Sequence, residues 1–344
     1  MARQVGSLPA TKWKADQRKF LGALPSEILQ LMIRYLSNND KYHLGLTSRR
    51  FSALAIPALY ERCLFTFVRV AGEGDVWAAV IPRGRRIAGF QQYINHGKHV
   101  RYVELRNVPE TSDGGAGAAI QQDDKGRFDL LLPKFTGLKR FQIAKYFAAT
   151  GPPLKAYMVA LRQVLTTSML LTSVCMKFHY SDEDLSGLSA FKRELALKPS
   201  VPQPRLLGLG IDLTQSRYNN DLKPTYNVLS LISQIVNTSA RTVRLLTFGV
   251  DVFDFHQDFD TKLYAKSEWP LIENHGGRAL DLPDLQALQL DLAETTLTEK
   301  LFLDFFRPDF AKIRQMEAVN MRLEPDYVEE RDVVATDHRP PLNP

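Results

Sequence analysis

Acidic and imidazole side chains concentrate at one place in this chain, at Asp251, Asp254, His256, Asp258 and Asp260. Carboxylates and a histidine at such spacing are donors that a divalent cation takes. Here they interleave with Val252, Phe253, Phe255 and Phe259, and no glycine stands where a calcium loop needs its sharp turn. The stretch therefore reads as a solvated strand end and loop. The other reactive types are scattered. The seven histidines form no His-Glu-x-x-His, and Cys63 and Cys175 form no short-spaced pair, so neither a zinc cage nor a disulfide framework is indicated. The Gly-rich run at 113–119 is followed by no Gly-Lys-Ser/Thr and reads as a flexible connection. Arg83, Arg85 and Arg86 open a helix-like stretch and read as a solvated face. No Gly-x-Ser-x-Gly elbow is present. No catalytic constellation, metal site or cofactor is expected, and the chain reads as a non-enzyme.

Composition sets the frame in which other functions must fit. The 344 residues leave room for a small module and one larger domain, and 44% apolar with 24% charged residues suits a globular protein. Two unpaired cysteines point to a reducing compartment, cytoplasmic and/or nuclear. No run of 18 apolar residues marks a membrane span. Residues 1–20 carry Arg3, Lys12, Lys14, Arg18 and Lys19 against Asp16 alone. They read as a disordered basic leader, a composition shared with organelle-targeting segments. The Asn237-Thr238-Ser239 sequon is idle without a secretory signal. The polar stretch 325–344 reads as a tail. A net charge of +6 is compatible with an acidic partner.

The elements start with an amphipathic surplus. From Ser26 to Ser37, Glu27, Gln30 and Arg34 make one narrow polar stripe at helical spacing. Ile28, Met32 and Tyr35 flank it on one side, Leu29, Ile33 and Leu36 on the other. A module of about 40 residues is marginal alone and has use for one such stripe in its own core. The second wants a partner, or else both are buried within the protein as an ordinary helical hairpin.

The residues here resemble the F-box family. The resemblance rests on Leu24-Pro25-Ser26-Glu27-Ile28-Leu29, Tyr35-Leu36 at the first helix end, Asp40, Leu44, Ser48-Arg49-Arg50-Phe51, Leu54-Ala55 and Pro57-x-Leu59-Tyr60. It runs from Leu24 to about Phe65, and an F-box is expected over 21–66. It implies short helices that dock on a Skp-type adaptor and, through it, on a cullin–RING ubiquitin ligase. The adaptor-binding residues would be Leu24, Pro25, Ile28, Leu29, Ile33 and Leu36, with Leu44 and Leu46 closing the patch.

The larger part repeats. An apolar residue at positions one, four and six recurs at Val100/Val103/Leu105, Leu138/Phe141/Ile143, Leu171/Val174/Met176 and Leu206/Leu209/Ile211. Val243/Leu246/Phe248, Leu285/Leu288/Leu290 and Ile313/Met316/Ala318 follow, with first positions 38, 33, 35, 37, 42 and 28 residues apart. Positions four and six share one strand face. Helical spacing falls between them at 85–95, 152–166, 224–236 and 296–306, which implies parallel strands joined by right-handed crossovers. This half resembles an irregular leucine-rich-repeat solenoid without the Asn or Cys ladder, and its rival is a generic α/β domain.

The expected fold is thus α+β, a three-helix F-box followed over 67–324 by an irregular α/β leucine-rich-repeat-like solenoid with parallel strands. The residues between the anchors would line its open face. Glu104, Arg106, Lys139, Gln142 and Lys177 come early, and Asp212, Asp251 and Asp291 come late. Such a charge gradient would orient a substrate protein, and its alternative is ordinary solvated strand ends. The function expected is the substrate-recognition subunit of a Skp–cullin–F-box ligase, a non-enzymatic adaptor working by proximity. A scaffold without a degradation role, or an enzyme or nucleic-acid binder in the large domain, are the alternatives.

Overall fold

The computed structural model describes residues 23–69, 77–81, 90–107, 128–145, 154–180, 202–217, 223–254, 279–292 and 301–319. The leader, the Gly-rich run, Arg83–Arg86, His256 to Asp260 and the tail lie outside the described residues. Three helices come first: α1 (Ser26–Arg34), α2 (Asn38–Gly45) and α3 (Arg49–Tyr60). Serine starts two of them. Ser37 Oγ accepts the Asp40 N–H at 3.1 Å, and Ser48 Oγ accepts the Phe51 N–H at 3.2 Å, each satisfying an amide that the helix cannot. Arg50 then donates to the Leu24 carbonyl at 2.6 Å, tying the start of α3 to the entry of α1.

A nine-stranded sheet follows directly. Its members are β1 (Arg62–Arg69), β2 (Trp77–Val80), β3 (Tyr102–Arg106), β4 (Arg140–Lys145), β5 (Ser173–Tyr180), β6 (Gly208–Arg217), β7 (Leu245–Asp254), β9 (Ala287–Asp291) and β11 (Gln315–Val319). The short strands β8 (Leu280–Leu282) and β10 (Phe306–Pro308) pair separately and in parallel. Each long strand lies beside its predecessor in the chain, and all pairs are parallel except β1 with the edge strand β2. Parallel neighbours in chain order are separated by helices which, where described, share one apolar cluster with one face of the sheet. That face carries α4 (Phe90–His96), α5 (Phe128–Leu131), α6 (Leu154–Thr167), α7 (Lys223–Ala240) and the helical residues 301–305.

The repeated unit has a physical basis at its corner. The carbonyl just before each strand accepts two N–H groups from the next unit. Glu61 O accepts from Arg101 and Tyr102 at 2.9 and 3.0 Å, and Arg101 O from Lys139 and Arg140 at 2.9 and 3.0 Å. The same pair of bonds recurs at Lys139, Thr172, Leu207, Arg244 and Gln286. Position one is the apolar residue before that corner. Its N–H closes a turn onto the carbonyl three residues back, as Val100 to Gly97 at 3.0 Å and Leu138 to Phe135 at 3.0 Å. Positions four and six then point inward. Val103, Phe141, Val174, Leu209, Leu246 and Leu288 align in one buried row, and Leu105, Ile143, Met176, Ile211 and Phe248 in the next.

Helices α6 and α7 seal those rows. On α6, Leu154, Tyr157, Met158, Leu161, Val164 and Leu165 are buried at helical spacing. The result is one apolar cluster continuous from Leu59 to Phe306. Two boundaries differ from the sequence reading. The pattern starts one unit early, because Tyr60, Cys63 and Phe65 occupy positions one, four and six and β1 pairs with β3. The expected border at residue 66 therefore falls inside β1, and the sheet begins at Arg62. The expected helix over 296–306 ends before Phe306, which instead opens β10 and pairs with Leu280.

Candidate interaction surfaces

Helix α1 buries one stripe and leaves the other. Leu29 and Ile33 are 2% and 1% exposed, and α1 and α2 both pack on α3. Together with Ala55 they make a small core outside the large cluster. Ile28, Leu31, Met32 and Tyr35, at i, i+3, i+4 and i+7, are exposed, Tyr35 to 89%. Tyr42 and Leu46 add exposed apolar surface beyond α1. Single exposed apolar side chains are ordinary, but four at helical spacing form a face.

This sorts the eight docking residues that the sequence suggested. Pro25, Ile28 and Leu46 are exposed, and Leu24, Leu36 and Leu44 are half-buried. Leu29 and Ile33 are not available, because they fill the core of the module itself. Leu31 was missed. It stands one residue from Gln30 and Met32 and was counted in neither stripe, although its i+4 partner Tyr35 was. Sequence periodicity gives two apolar stripes but does not say which one α3 covers.

The open face of the sheet is a second surface. Its side chains align in rows across the strands. One row runs Leu64, Glu104, Gln142, Cys175, Gly210, Thr247, Gln289 and Glu317, and the next runs Thr66, Arg106, Ala144, Lys177, Asp212, Gly249 and Asp291. Asp251 lies one step further, level with Thr214 and His179. Seven of the eight expected residues are therefore on this face. Lys139 is not. It is the corner residue whose carbonyl serves β5, and its side chain lines the cleft beside the helical module.

The charge gradient is partly cancelled within the face. Arg106 Nε lies 3.8 Å from Glu104, and Lys177 Nζ 3.3 Å from Asp212. Burial pushes the Asp212 carboxyl above its ordinary range, Lys177 opposes this, and Asp291 and Asp251 add to the rise. A negative field gathers at β6, β7 and β9 without forming a cage: among the described residues no cluster of His, Cys, Asp and Glu is placed to hold a metal ion. Tyr102 donates to Gln142 Oε1 at 2.5 Å across the early part of the face. Gly249 permits close strand approach, since a Cβ there would meet Asp291 Cβ at 2.7 Å.

The thiols offer little chemistry. Cys63 is buried in the apolar core, where desolvation pushes its pKa far up, and burial raises that of the half-buried Cys175. Asn237 lies within α7, where the neighbouring Ser239 hydroxyl donates to the Gln203 side chain at 2.9 Å. No described helix is long and apolar enough to cross a membrane. Compared with models of known families and with curated proteins, the chain matches none.

Proposed function

We propose that this chain is a substrate-recognition subunit of a Skp–cullin–F-box ubiquitin ligase, with an F-box at its helical start and a leucine-rich-repeat-like solenoid behind it. One observation carries the reading. An amphipathic helix whose inner stripe, Leu29 and Ile33, is sealed presents a second apolar stripe at Ile28, Leu31, Met32 and Tyr35 to solvent. That is the surface a helix-in-groove partner takes. The Leu24-Pro25 entry, the Ser48 cap and the Arg50 tie are the motif residues that set this helix against α3. The stacked corners and the chain-ordered parallel strands support the repeat reading, and the polar rows on the other face of the sheet would give a substrate protein a place to sit. The adaptor would then raise the local concentration of a target lysine at the ligase.

The test is co-purification of the full chain with a Skp-type adaptor. The double variant Ile28→Ala, Met32→Ala removes two exposed anchors without touching the core. Buried anchors are typically worth about 1–2 kcal/mol or more each, so adaptor affinity should fall at least about tenfold. Undiminished co-purification at matched fold stability would overturn the assignment.

A further inference from the structure

A basic groove runs along the seam between the helical module and the corners of the sheet. Its widest part holds about 950 Å³ and lies between α1, α2, the end of α3 and the first three corners. Six lining side chains are cationic, Arg34, Lys41, Arg62, Arg101, Lys139 and Arg140, against one carboxylate, Glu61. Arg34, Ala58, Glu61 and Arg101 also line a narrower stretch of about 220 Å³. Ala53, Pro57 and His99 carry the path on into a third stretch of about 780 Å³, which adds Arg49 and Lys98.

Among the described residues, none of these eight cations has a carboxylate within 4 Å. Arg101 spends one N–H on the Gly137 carbonyl at 2.8 Å, and Arg62 lies over the Tyr102 ring, 4.7 Å from its centroid. Eight like charges along one seam repel one another until something anionic neutralises them. The field registers on a neighbour. His99 is held below its ordinary pKa by burial first, then by Lys98, His96 and Arg101.

The shape and the aromatic content select the ligand. A path of linked stretches suits an extended chain better than a compact anion. Single-stranded nucleic acid would need free ring faces on which bases stack. Tyr102 is capped by Arg62 and bonded to Gln142, and His96 is stacked on Tyr60 at 4.6 Å. Forked guanidiniums suit carboxylate and phosphoryl groups. We propose that the seam groove binds an extended acidic peptide segment of a partner protein, its carboxylate or phosphoserine side chains laid against this row of cations. This goes beyond the adaptor reading and does not rest on it, since the apolar stripe of α1 contributes none of these charges.

The experiment is fluorescence anisotropy on the full chain with four labelled probes: a short Asp/Glu-rich peptide, its phosphoserine counterpart, its Asn/Gln isostere and an oligo-dT of equal charge. Both anionic peptides should bind at least about tenfold tighter than the isostere and lose affinity as salt rises. Whichever of the two binds tighter assigns the natural anion, and either supports the proposal. Lys139→Glu with Arg140→Glu should lower peptide affinity at least about tenfold. Should that pair fail to fold by thermal melt, Lys139→Gln with Arg140→Gln should still lower it about threefold. Equal binding of the isostere, tighter binding of oligo-dT, or wild-type affinity in both variants would overturn the proposal.

Discussion

The helical start and the sheet dispose of similar apolar residues in opposite ways. In the sheet, alternation sends every position-four and position-six side chain from Cys63 to Leu288 into one buried layer, and the open face keeps Glu104, Gln142, Lys177 and Asp212. In the helical start, α1 has more apolar surface than α3 can cover. Leu29 and Ile33 go in, and Ile28, Leu31, Met32 and Tyr35 stay out. A strand has two faces, so a period-two pattern assigns each side chain to one of them. A helix has a continuous circumference, and how much is buried depends on how many neighbours arrive.

The largest expected effect tests the sheet. Phe248→Ala empties a fully buried site packed by Phe302 and Phe306. It should cost about 3–5 kcal/mol in chemical denaturation; a cost under about 1 kcal/mol would mean that the layer is not a packed core. Within α1 the comparison sharpens to adjacent residues. Ile33→Ala should destabilise the helical module by about 2–5 kcal/mol, whereas Met32→Ala should stay within about 0.5 kcal/mol. Amide exchange of α1 reads both, and equal costs would erase the distinction between the stripes.

Gly97→Ala probes the corner where the two regions meet. A Cβ there would stand 2.6 Å from the Lys134 carbonyl oxygen, which is backbone and must shift. A loss of about 1–3 kcal/mol is expected, with unchanged stability as the contrary result. Ser48→Ala removes the cap of α3 and should cost about 1 kcal/mol, measurable by the same exchange experiment. The smallest effect is one of pH. Burial, with Lys145 and Lys177, holds His179 below its ordinary pKa. The unfolded chain therefore binds this proton more readily, and stability should fall as pH drops below about 6.5. His179→Gln should flatten that slope in urea midpoints, and an unaltered slope would remove His179 from the account.

Much of the sheet was legible because its signal is local. The one-four-six spacing marks a turn closure and two inward strand positions, and both need only neighbouring residues. Its first copy, Tyr60/Cys63/Phe65, is masked in the sequence because Tyr60 stands where every other unit has an aliphatic residue and Cys63 where the others have a larger apolar one. The spacing puts Lys139 on the open face because it lies between the anchors Leu138 and Phe141, but it is the corner residue before the strand begins at Arg140. The seam groove was not legible at all, since Arg34, Arg62, Lys98 and Arg140 come from units far apart in the chain.

The amino-acid order alone determined which residues turn, which alternate and which helices carry two apolar stripes, because propensity, capping and periodicity act over a few residues. Only the tertiary structure decided which stripe of α1 is covered, that Glu104 and Lys177 find Arg106 and Asp212, and that eight cations gather along one seam with no carboxylate partner among the described residues. Those outcomes depend on how many neighbours reach a surface and which charges the stacking of units brings within reach. Burial and Coulomb energies are set by distances that sequence spacing does not contain.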